Sequence, residues 1–177
     1  AGVLKLVRKT WEEGNAYVAL GNHEFGILQM SSMDKNLPDA SYEPFVPWLK
    51  TLPLFLDLQD IRVVHAAWHI SSISFISQVV IPNDSFIQAT SIKNSPERKA
   101  VDFILKGVKV NLPEDSVLRD RFGIIRKKGR LRWWEDLREK PFSDALFSPM
   151  YGDSLEEIPN PQDIAKAEPY PKEDKPV

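Results

Sequence analysis

Proline placement sets the first limit on what this chain can fold into. Seven of its 14 prolines fall in residues 141–177, and Pro159, Pro161, Pro169, Pro171 and Pro176 interrupt every stretch there that could propagate a helix. Regular structure is therefore expected mainly in residues 1–140, with 141–177 an acidic, irregular segment belonging to the same domain. The 177 residues are 42% hydrophobic and 27% charged, enough apolar mass for one sizeable core. Cysteine is absent, which removes disulfide scaffolds, thiolate metal sites and thiol nucleophiles together. With no signal-peptide pattern and no apolar run of membrane-spanning length, the expectation is a cytoplasmic chain with no membrane partner.

Charge is unevenly spread: Lys+Arg against Asp+Glu is 6 to 9 in residues 1–90, 14 to 8 in 91–140 and 3 to 8 in 141–177. The basic middle does not interleave aromatic and cationic residues as a single-strand binder would, so nucleic acid is not expected as a partner. Arg126–Arg132 reads as a solvated hairpin, although it could attract a phosphorylated substrate.

Val3–Glu13 has helical apolar spacing, with Gly14 as a stop. Ala16–Leu20 reads as a strand delivering Gly21-Asn22-His23-Glu24. Pro44–Thr51 reads as helix, while Leu54–Leu58 and Ile61–Val64 read as short strands around Gln59-Asp60, the second ending on His65. Ser95-Pro96 is a helix start, a capping side chain followed by proline at the first helical position, and Gly107 is the matching stop. Residues 107–112, 116–119 and 124–134 read as further strands, turning at Asp120–Gly123 and Lys128-Gly129. Helices mixed with strands predict an α/β (α+β) fold.

The chain has three histidines, His23, His65 and His69. An asparagine carbonyl is a hard oxygen ligand and an imidazole an intermediate one, so Asn22 with His65 suits Mn, Fe or Zn better than a soft metal. Side chains leaving a strand alternate in direction, which frees His23 to meet substrate as a proton donor. His69, beside Trp68, is either a structural histidine or a lining residue of a substrate cleft. Of Trp133-Trp134, one ring is expected to pack inward and the other to face solvent.

Gly21-Asn22-His23-Glu24 resembles the Gly-Asn-His-Glu motif of the calcineurin-like metallophosphoesterases, in the branch with phosphoprotein phosphatases and bacterial relatives. Val63-Val64-His65-Ala66 is similar to that family's next signature, a strand ending in a metal-binding histidine. Trp48–Pro53 and Arg132-Trp133-Trp134 extend the resemblance over most of residues 3–135. It implies an αββα sandwich with mixed sheets and two divalent metal ions that activate a bridging hydroxide. Asn22 and His65 would be metal ligands, His23 the general acid, and Glu24 the residue holding its imidazole. The family's upstream Asp-x-His and Gly-Asp-x-x-Asp-Arg-Gly motifs and its C-terminal Gly-His motif are not present. The chain is accordingly read as an internal fragment, inactive alone, with at most partial metal occupancy. Its complete form would hydrolyse phosphate monoesters or phosphoanhydrides in small molecules or phosphoproteins. A fragment of this kind would expose a sheet edge favouring self-association or a companion chain. The alternatives are a catalytically inactive interaction module and, further off, a one-metal nuclease.

Overall fold

The computed structural model describes residues 2–112, 119–138, 140–147, 168–171 and 174–177. These residues combine helices with short strands, a mixed α/β class. They form two compact units, the first from residues 1–66, 71–106 and 175–177, the second from 67–70 and 107–174. No helix among the described residues is long and apolar enough to cross a membrane.

The first unit opens with α1 (Gly2–Glu12), closed by Gly14 in the left-handed region at φ 74°. Its apolar stripe is present as expected but none of its residues is buried: Leu4 and Val7 are half-buried, and Trp11 is exposed with its ring centroid 6.1 Å from that of Trp48. Residues 15–21 are extended without entering a sheet, which corrects the strand expected at Ala16–Leu20. Leu20 N–H donates to Pro53 O at 2.8 Å, and no described strand lies alongside to extend that single bond into a ladder.

The chain then turns into α2 (Asn22–Ser32), crosses a 3₁₀ turn into α3 (Val46–Leu49), and forms the expected hairpin from β1 (Phe55–Asp57) and β2 (Arg62–Val64). The register is antiparallel, pairing Phe55 with Val64 and Asp57 with Arg62. Lys175 donates to the Asp57 carboxylate, and this bond holds the Asp57 carboxyl below its ordinary range. Arg62 N–H donates to Pro176 O at 2.8 Å, so the free edge of β2 is met by residues from far along the chain.

Three helices follow: α4 (Ile70–Ile76), α5 (Asp84–Ser91) and α6 (Pro96–Lys106). Ser95 caps α6, accepting from Arg98 N–H at 3.1 Å, and Gly107 closes it at φ 78°. α5 had no sequence expectation, yet its cap is of the same kind, with Asn83 Oδ1 accepting from Phe86 N–H at 2.9 Å. α2 packs on α3 and α5, and α5 on α6, around the fully buried Leu28, Leu49, Ile87 and Ile104. Gln29 donates to Thr90 Oγ1 at 2.9 Å and Thr90 donates to Ile87 O at 2.6 Å, which leaves the buried hydroxyl satisfied.

The second unit contains β3 (Lys109–Asn111), β4 (Lys128–Arg130) and α7 (Phe142–Ala145). Both sheets are two-stranded and antiparallel, so neither is mixed among the described residues. The turn at Asp120–Gly123 forms as expected, bracketed by the Arg119–Ile125 bridge. Lys128-Gly129 does not turn; it pairs within β4, with Gly129 opposite Val110. The strand wins because Leu146 packs where a Gly129 side chain would stand: an added Cβ would lie 2.4 Å from Leu146 Cδ2. Trp133 is buried and Trp134 exposed, with rings edge-on at 5.8 Å, as the sequence predicts. The strand expected at 116–119 falls outside the described residues except for Arg119, as do Pro159 and Pro161.

Two glycine substitutions separate crowding from intrinsic preference. Gly129→Ala is expected to lower unfolding stability by about 1–3 kcal/mol through overpacking against buried Leu146. Gly26→Ala, in the interior of α2 with open space at its Cβ position, is expected to raise it by about 0.5–1 kcal/mol. Urea unfolding monitored by tryptophan fluorescence checks both signs.

Candidate metal site

The start of α2 and the end of the hairpin supply the two halves of the site. Gly21 is the N-cap residue, extended at φ −93° and ψ 172°, and Asn22 is the first residue of the helix. His65 follows β2 directly, and Ala66 N–H next to it donates to Ile104 O at 3.0 Å, which ties this end of the strand to α6. The two elements bring Asn22 Oδ1 and His65 Nε2 to 2.8 Å across 43 residues of sequence.

Gly21 makes that approach possible through space rather than through backbone freedom. A Cβ on Gly21 would lie 2.6 Å from Glu24 Oε2, 3.0 Å from His65 Cε1 and 3.1 Å from His65 Nδ1. The imidazole thus rests on the bare Cα of Gly21, which is itself buried. This packing role has no signal of its own in the sequence. The only cue was its position immediately before the motif.

His23 is exposed and Glu24 half-buried. Successive residues of a helix do not share a face. The structure accordingly directs Glu24 toward Gly21 and His65, and no hydrogen bond joins it to His23 among the described residues. His69 belongs to the second unit, where it is buried with Nε2 3.7 Å from a Glu168 carboxylate oxygen. Asn22 also borders a cavity of about 140 Å³ between α2 and α6, reached by Gln29, Arg98, Asp102 and Lys106. Its sequence cue is Gly26, a glycine in a helix interior.

The Asn22–His65 geometry admits two chemical states. Asn22 Oδ1 is an acceptor, so the direct contact requires the proton on His65 Nε2. A cation bound to both atoms would instead need Nε2 deprotonated, with the imidazole proton on Nδ1. Two ligands at right angles on bonds of about 2.1 Å stand about 3.0 Å apart, close to the separation seen. No group of three or more His, Cys, Asp or Glu residues that could hold a metal is found among the described residues.

Nitrogen-15 NMR of the His65 ring is expected to show the Nε2–H tautomer in metal-free protein and the Nδ1–H tautomer with saturating Zn²⁺. In Gly21→Ala the ring is displaced and the Nε2–H signature is lost, while Gly26→Ala leaves it intact. No protein-family model, curated protein or solved structure matches the chain, and the site is read from its own geometry.

Proposed function

We propose that the chain is part of a metal-dependent phosphoesterase that hydrolyses phosphate monoesters or phosphoanhydrides. The observation carrying this reading is the 2.8 Å approach of Asn22 Oδ1 to His65 Nε2, the two atoms that the family resemblance names as ligands of one cation. The pair fits a divalent ion on chemical grounds: an amide oxygen and an imidazole nitrogen suit Mn, Fe or Zn, and their separation is that of neighbouring ligands. A complete site of this class would hold two such ions, with Asn22 and His65 among their ligands, and the chemistry they would supply is polarisation of the phosphoryl group and a lowered pKa of bound water.

The chain's own residues do the rest. Asn22 and His65 hold a cation at the junction of helix and hairpin. Gly21 keeps the imidazole seated, because any side chain there pushes it away. His23, exposed one residue from the ligand, stands where a substrate's leaving oxygen can take its proton, a contribution worth about 10²–10⁴ in rate. In the family pattern Glu24 steadies that histidine; here its carboxylate lies beside Gly21 and the His65 ring instead, with no hydrogen bond to His23 among the described residues. Substrate is a phosphorylated small molecule or phosphoprotein met in the cytoplasm.

Mn²⁺ binding, followed by electron paramagnetic resonance of the free ion, is expected to be weak in this chain. It is expected to weaken a further 10- to 100-fold in Asn22→Ala or His65→Ala, by about the factor that loss of a ligand's support costs. Binding that is indifferent to both substitutions removes the metal reading. With the metal reading intact, hydrolysis of p-nitrophenyl phosphate by protein that includes the upstream ligands should fall about 10²- to 10⁴-fold in His23→Ala with unchanged Mn²⁺ affinity. No hydrolysis in that complete form would favour the inactive interaction module.

A further inference from the structure

The hairpin tip of the second unit combines features that a solvated loop does not need. Residues 119–130 carry six cations, Arg119, Arg121, Arg126, Lys127, Lys128 and Arg130, against the single anion Asp120. Among them stand Phe122, Ile124 and Ile125, exposed at 70%, 51% and 52%. Apolar side chains this exposed are ordinary when scattered. Here three are gathered within four residues.

They are also held in place. The Asp120 carboxylate accepts from Phe122 N–H at 2.9 Å, from Ile124 N–H at 3.1 Å and from the Arg126 guanidinium at 2.8 and 2.5 Å. Gly123 turns the chain at φ 75°, its N–H donating to Asp120 O and its carbonyl accepting from Arg119. The polar groups of the turn are spent on one another, and the apolar ones point outward. Ile125 shares an open groove with Lys109, Arg126, Lys127, Lys128 and Arg130 and with the Asp120 carboxylate that Arg126 pairs, and the Arg121 guanidinium lies 4.7 Å from the Phe122 ring centroid.

We propose that this hairpin docks on an anionic lipid surface, with Phe122, Ile124 and Ile125 entering the headgroup–acyl boundary and Lys127, Lys128 and Arg130 engaging lipid phosphates. Cations flanking an apolar tip match the two layers of such a surface in order. A single-stranded nucleic acid fits less well, because isoleucines offer no stacking face and Arg121 already covers one face of Phe122. A stable protein partner needs a patch of about 800 Å² on this side, broader than a hairpin turn. The expectation of no membrane partner rested on the lack of a spanning segment, which does not bear on a surface contact.

Co-sedimentation of the full chain with phosphatidylcholine vesicles, with and without phosphatidylserine, tests this. Binding is expected only with phosphatidylserine, and it should fall at least about tenfold when salt rises from about 0.1 to 0.5 M. Phe122→Ser/Ile124→Ser and Lys127→Ala/Lys128→Ala should each lose at least about tenfold in vesicle binding. All four positions are exposed, so circular dichroism should be unchanged. No binding to phosphatidylserine vesicles overturns the proposal. So does binding that survives the Phe122/Ile124 double variant, or binding confined to a single-stranded oligonucleotide.

Discussion

The contact between Asn22 and His65 is where the helical part of the first unit and its hairpin meet, and apolar packing fixes it there. It joins the first residue of a helix to the first residue after a strand, and both elements are anchored in the same core. Ile104 receives the backbone of Ala66, Leu28 and Ile87 seat α2 against α5, and Pro53 receives Leu20 just ahead of the motif. A polar contact at the rim is placed by apolar packing behind it. The side chain missing from Gly21 then lets the imidazole sit against the main chain. The placement of this amide oxygen against the imidazole nitrogen is a consequence of steric omission as much as of the two side chains themselves.

What the sequence made legible follows from how local the signals were. Ser95-Pro96 and Gly107 bracket α6 because capping and left-handed closure are decided within one turn of chain. The β1–β2 hairpin was equally readable, since alternation and a polar turn are encoded side by side. The strand expected at Ala16–Leu20 failed for the opposite reason: composition prepares a segment for extension, but a ladder needs a partner, and no local residue supplies one. Lys128-Gly129 looked like a turn and is strand because Leu146, seventeen positions beyond Gly129, claims the space above it. At the site, the motif residues were visible in sequence, whereas the packing role of Gly21 and the inward aim of Glu24 depend on a contact made 41 or more residues away.

Polar side chains with two or more bonds recur as organisers. Asp120 holds a turn, Asn83 starts α5 while also accepting from Ser85, and Ser95 both caps α6 and donates to Ala89 O. Each replaces backbone bonds that a helix end or tight turn leaves open. That economy lets short elements persist where the sheets among the described residues have two strands each.

The bond from Arg62 to Pro176 has a temporal side. Its partners are separated by 114 positions, so a ribosome adding about 5–20 residues per second leaves that strand margin bare for roughly 6–23 s after Arg62 is made. Throughout the interval β2 offers an unclaimed amide to any neighbouring nascent polypeptide, and only the late arrival of Lys175 and Pro176 seals it.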